Sequence, residues 1–164
     1  MGSVRKWTKA EQERHEADQH SVEWLEWVAP QRFTEQLNRF FTETVPDMPE
    51  DPYTVEGLDA AEAAQLRLWP AADGSEPDQE VLDQFIRYIG ETYRRTLGGE
   101  WINLAQWSSH VPRLRTLHPI IRADYSELGI VPAQSVAIAD EERTGRAYRE
   151  FYERFAQAAR ALQG

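Results

Sequence analysis

The sequence predicts an α+β protein, mostly helical, with a small antiparallel sheet in the third quarter and a long C-terminal helix. Three observations carry this expectation. Apolar residues recur at steps of three and four over residues 33–45, 81–97 and 148–162, as in helices that bury one stripe. Gly98-Gly99 ends the second of these runs, and the pattern beyond it, Trp101-Ile102-Asn103-Leu104-Ala105-Gln106-Trp107, turns to an imperfect alternation that suits a strand. No internal repeat or low-complexity tract interrupts the 164 residues, so one domain spanning 1–164 is expected, long enough to build a core without metal or disulfide staples.

Element by element, Thr8-Lys9-Ala10-Glu11 has the form of a capping box and starts a helix. This helix is polar to about Gln19, so residues 1–20 are expected to project or fray. Val22, Trp24, Leu25, Trp27 and Val28 then give it an apolar face. Pro30 opens the next helix, whose stripe of Phe33, Leu37, Phe40, Phe41 and Val45 ends before Pro46. Pro46, Pro49 and Pro52 dictate a loop. Asp59 with Glu62 is expected to cap a short Ala-rich helix running to Trp69, where Pro70 stops it and residues 71–74 turn. Ser75 is the predicted N-cap, with Pro77 in the first turn, of a central helix that buries Val81, Leu82, Phe85, Ile86, Ile89, Tyr93 and Leu97. After a turn at Ser108-Ser109-His110, a second strand is expected over Leu114–Ile121, confined to an edge or split by Pro119. One more short strand is expected from Ile130-Val131 or Val136-Ala137-Ile138. Asp140 is the predicted cap of the last helix, with Tyr148, Phe151, Tyr152, Phe155 and Leu162 inside.

Composition removes several chemistries. With no cysteine there is no disulfide, thiol nucleophile, Cys-based zinc site or iron–sulfur cluster. The net charge is −10, of which −8 falls on residues 31–79, where 3 basic side chains meet 11 acidic ones. Such a field repels nucleic acid and anionic membrane surfaces and attracts basic partners. The charged first twenty residues and the lack of an 18-residue apolar run make a cytoplasmic protein the expectation.

No motif specifies catalysis. His15 and His20 are five apart, about 140° around a helix, and diverge where the zinc-protease spacing of four would converge, so no metal is expected. His110 or His118 would need Asp124 or Glu100 beside it for acid–base work. Ser109 lacks a nucleophile-elbow context, and Gly98-Gly99 lacks the Lys-Ser/Thr of a phosphate loop. Glu91 with Arg95, and Arg87 with Glu91, have the spacing of a solvated ion-pair ladder. No cofactor is expected. Trp24 and Trp27, three apart, are neighbours on one helix face and the first candidates for an exposed aromatic patch.

The segment Phe85-Ile86-Arg87-Tyr88-Ile89-Gly90-Glu91-Thr92-Tyr93-Arg94-Arg95-Thr96-Leu97-Gly98-Gly99-Glu100-Trp101 resembles one found in small, mainly actinobacterial α+β domains, and the resemblance extends through His118-Pro119-Ile120-Ile121. Some of those domains resemble immunity or accessory proteins encoded beside toxins or secretion genes, which implies binding rather than catalysis. The pattern also has a packing explanation. Gly90 admits a close neighbour, Gly98-Gly99 reverses the chain, and Trp101 folds back over the helix end.

The leading expectation is therefore a non-enzymatic acidic interaction protein. Its protein partner, a basic one, would be met by Asp47, Glu50, Asp51 and Glu56 with Trp24 and Trp27. The alternative is a small-molecule sensor or enzyme, with a cleft formed by Glu91, Arg95, Trp101 and His118. A homodimer contact is expected near residues 7–27, where a largely polar helix could lie against a second copy.

Overall fold

A computed structural model describes residues 6–69, 78–106, 114 and 116–163. Thr8 opens the first helix as its spacing predicts: its hydroxyl accepts the Glu11 N–H at 3.1 Å, and α1 runs Lys9–Asp18 with no buried residue. The expected single helix is in fact two. Gln19 ends α1, Ser21 accepts the Trp24 N–H at 3.2 Å, and α2 (Val22–Val28) starts afresh. The break has a tertiary cause, because the Gln19 side chain bonds like a strand residue, donating to the Asn103 carbonyl at 2.6 Å and accepting the Asn103 N–H at 2.8 Å. The far end of α1 is thereby tied to the sheet.

Helix α3 (Pro30–Arg39) continues into a π-helical turn over Phe40–Thr44, closed by the Val45 N–H on the Phe40 carbonyl at 2.7 Å. The wider turn brings residues five apart onto one face, and Phe40 and Val45 are both buried. Helix α4 (Val55–Leu68) begins earlier than expected, because Thr54 caps it by accepting the Gly57 N–H at 3.1 Å; Asp59 and Glu62 act elsewhere. The turn over 70–74, Ser75, Pro77, Trp107, Ser108, Ser109 and His110 lie outside the described residues. Helix α5 (Gln79–Leu97) is capped by Asp78, which accepts from Glu80 and Val81. It buries Leu82, Phe85, Ile86, Tyr88, Ile89 and Tyr93, and ends at Gly98, whose φ of 89° favours glycine.

The sheet is antiparallel in the order β1-β2-β3, with β1 at Glu100–Asn103, β2 at Pro119–Ala123 and β3 at Ser126–Ile130. Of the two outcomes expected at Pro119, the split occurs. Leu114 and Leu117 form an isolated bridge, and Pro119 becomes the first residue of the central strand, where its missing N–H is tolerated. The further strand expected in the last quarter is β3, which takes in Ile130; its alternative site, Val136-Ala137-Ile138, belongs to helix α6 (Pro132–Glu142), since Pro132 is suited to a first helical turn and nothing breaks the run before Arg143, at φ 51°. Asp140 therefore does not cap the last helix, α7 (Ala147–Gln163), which begins after Gly145. The N–H groups of Ala147 and Tyr148 instead meet the Glu62 carboxylate. No helix of the described residues is long and apolar enough to cross a membrane.

Candidate functional site

The acidic loop between α3 and α4 is held at its two ends. The buried Val45 anchors its start. Asp51 accepts the Tyr53 N–H on Oδ1 and the Thr54 hydroxyl on its carbonyl, both at 3.1 Å, and the Tyr88 hydroxyl donates to the Pro52 carbonyl at 2.6 Å. Burial pushes the Tyr88 phenol well above its ordinary value, so it remains a donor. At Gly57 a Cβ would lie 2.0 Å from the Pro52 oxygen, so only glycine lets the loop close onto the first turn of α4. Around this loop Asp47, Glu50, Asp51 and Glu56 are exposed, and none has an ion-pair partner among the described residues. The two remaining acids of the stretch differ: Asp59 pairs with Arg149, and Glu62 is buried.

Beside this loop, three of the four expected cleft residues come together. Glu91 is 3% exposed, and its carboxylate accepts four hydrogen bonds: Arg94 Nε at 2.7 Å and Nη2 at 2.9 Å, Arg95 Nε at 2.9 Å, and the Trp101 indole N–H at 2.8 Å. Trp101 reaches it by lying across Gly90, where a Cβ would sit 2.0 Å from the ring; the close approach expected of Gly90 is to this tryptophan. The Arg95 guanidinium stacks on Tyr53 at 4.3 Å and so joins the cluster to the loop. Burial alone would raise the Glu91 pKa, but the bonds from Arg94, Trp101 and Arg95 outweigh it and hold the carboxyl below its ordinary value. With about four lone-pair positions on a carboxylate all occupied, Glu91 is a structural anion with no site for a substrate proton.

His118 does not share this geometry. It is buried beside the other end of β1, its N–H donating to Asn103 Oδ1 at 2.9 Å and its carbonyl accepting from Leu104. Arg87 is also corrected. It pairs with Asp83 at 2.8 Å rather than with Glu91, and its guanidinium is sealed between Trp27 at 4.1 Å and Phe33 at 4.8 Å. The expected exposed patch is absent: Trp24 and Trp27 are 4% and 5% exposed, stacked on each other, with Trp27 also packed edge-on to Trp101. A seven-residue helix with apolar residues on two sides turned its larger ones inward, leaving Val22 and Leu25 outside. The homodimer expectation loses Trp24 and Trp27 as contacts, while Trp7 and the polar surface of α1 stay exposed.

A groove of about 480 Å³ is lined by Trp27, Asp83, Glu23 and Glu26. Its most specific groups are already engaged, because Trp27 has Trp24 on one side and Arg87 over its ring, and both Asp83 oxygens accept hydrogen bonds. Arg94 and Tyr53 are the site members that sequence reasoning missed. The three-residue spacing of Arg94 from Glu91 was a usable signal; nothing local linked Tyr53 to a residue more than thirty positions away. No family model, curated protein or solved structure matches the chain.

Proposed function

We propose that this protein is a non-enzymatic recognition module whose loop between α3 and α4 receives a basic segment of a protein partner. The observation that carries the reading is a set of four exposed carboxylates, Asp47, Glu50, Asp51 and Glu56, without an ion pair among the described residues, around a loop held at Val45 and over residues 51–57. A loop already ordered in the free protein loses little conformational freedom on binding, and unpaired surface charge acts on association rate and specificity. The saturated Glu91 carboxylate supports binding over acid–base catalysis at the neighbouring cluster. A basic toxin domain, the partner class implied by the segment resemblance, has the required chemistry.

The test is the binding of a fluorescent Lys/Arg-rich peptide, and of its Glu-substituted counterpart, to the wild type and to D47K/E50K/D51N. The basic peptide is expected to bind the wild type at low salt and to be released as ionic strength rises to about 1 M, where the Debye length falls to about 3 Å. The triple variant alters only exposed positions, and Asp51→Asn keeps an Oδ1 acceptor for the Tyr53 N–H, so it should hold the wild-type melting temperature and is expected to lose this binding. Equal binding by both proteins, or no preference for the basic peptide, overturns the reading.

A further inference from the structure

Among the ion pairs of the described residues, the cluster of Arg94 and Arg95 on Glu91 stands apart in its charge balance. In every other ion pair or cluster among the described residues the carboxylates equal or outnumber the arginines, as at Arg39, which faces both Glu43 and Glu80. At Glu91 two arginines share one carboxylate, which leaves an excess positive charge on a chain of net charge −10. Three of the ten guanidinium N–H donors are bonded to Glu91, and the other seven have no acceptor among the described residues. Both side chains are nearly half exposed, 42% for Arg94 and 48% for Arg95, so these donors are open to solvent on one side of the cluster.

We infer that the Arg94–Arg95 pair is a binding site for one oxyanion group, a carboxylate or a phosphate. The unused donors are held in place. Glu91 grips Arg94 through two nitrogens and Arg95 through Nε, while Tyr53 supports one face of the Arg95 plane. A guanidinium pinned in this way presents its remaining N–H edge in a fixed orientation, the arrangement that favours two-point contact with a carboxylate or phosphate. Glu91 has no acceptor capacity left, so an arriving anion does not compete with it for the same N–H groups. Asp51, whose charge acts on the Tyr53 ring that carries Arg95, is of like sign to the anion and opposes it. This inference does not depend on the acidic loop binding a basic partner.

The experiment is a titration of the full chain with sodium acetate and, separately, with inorganic phosphate at constant ionic strength, following the Arg94 and Arg95 Nε–H resonances by NMR. Saturable shifts are expected in the wild type, with a midpoint of about 1 mM or weaker, the level of a single unburied contact. The tighter of the two probes identifies which source of oxyanion the site prefers. In R94K/R95K, which keeps the charge and loses the fork, binding should weaken about tenfold, read from the Trp101 indole resonance. The single variant R95K should weaken it by less, and D51N should strengthen it. Linear, non-saturating shifts with both anions, or equal binding by the Lys variants, overturn the inference. If R94K/R95K fails to fold, R95K and D51N decide the outcome by the same titration.

Discussion

Glu62 and Glu91 are both buried carboxylates on neighbouring helices, and the protein treats them in opposite ways. Glu62, fully buried, accepts from the backbone N–H groups of Tyr148 at 2.7 Å and Ala147 at 3.2 Å, and no arginine among the described residues bonds to it. Burial therefore prevails over those two bonds, with Asp59 and Glu150 adding to the push, and its pKa rises above the ordinary 4.5. Glu91 meets two guanidiniums and an indole, and its pKa falls below the same value. The difference teaches that partner charge, rather than depth, decides which form a buried carboxyl favours. Glu62 joins α4 to the start of α7; Glu91 organises a charged surface.

The largest expected effect is at Glu62. Glu62→Ala leaves two N–H groups without acceptors inside the fold and should cost about 3 kcal/mol of stability in urea denaturation. Glu62→Gln keeps one acceptor and imitates the protonated form that burial favours, so it should cost about 1 kcal/mol. An Ala variant as stable as the Gln variant would mean that the carboxylate does not hold the start of α7.

Gly90→Ala comes next. The added methyl must displace a rigid indole, since the clash is with the Trp101 ring itself, and a loss of about 2 kcal/mol is expected. The same displacement breaks the Trp101 bond to Glu91, so the indole N–H resonance should move along with stability. If stability drops while that resonance stays in place, the ring does not bridge the two helical positions as described.

Glu91→Gln should cost only about 1 kcal/mol at neutral pH, because Arg94 and Arg95 are half exposed and recover hydration when released. Its effect depends on pH. A carboxyl with a lowered folded pKa contributes stability above the ordinary value of 4.5 and loses it as pH falls through the lowered one, so the variant should flatten the acid limb of the stability curve. Glu62 runs the other way. Its stabilising contribution is complete below 4.5 and is lost as pH rises through its raised pKa, so Glu62→Gln should compare best with the wild type at neutral pH and worst in acid. Identical pH profiles for the two Gln variants would remove the contrast.

The Glu91–Arg95 pair was legible in the sequence, whereas the burial of Glu91, read there as part of a solvated ladder, and the contacts of Glu62 were not, for a physical reason. The Glu91–Arg95 spacing, the Gly90 close approach and the chain reversal at Gly98 all lie within one helix and its exit, where local periodicity fixes geometry. The α3 stripe was readable on the same grounds, although its π turn was not. Glu62 looked like a local cap because its contacts lie 85 and 86 residues away, and no pattern within a helix records a tertiary bond of that span. Short apolar runs were ambiguous for a related reason. Val136-Ala137-Ile138 fits a strand or a buried helix equally well until its flanking residues are placed in space.

The smallest expected effect isolates the electrostatic part of the contrast. Asp59 lies on α4 three positions before Glu62 and raises its pKa by Coulombic repulsion, second to burial. Asp59→Asn removes that charge, and with it the ion pair to Arg149, while the buried carboxyl and its two N–H donors stay in place. The freed Arg149 charge acts on Glu62 in the same direction. The Glu62 midpoint, followed by carboxyl carbon NMR, should therefore move down towards 4.5 without reaching it, because burial still acts. Glu150→Gln, at the start of α7, should move it the same way. The decline of stability with rising pH should become shallower in both variants, since the folded and unfolded midpoints draw together. The Glu91 midpoint serves as the internal control, being set by its own arginines and indole. A Glu62 midpoint that ignores both substitutions would leave desolvation as the sole cause of its rise, while a parallel movement of Glu91 would show that the two carboxyls share one field.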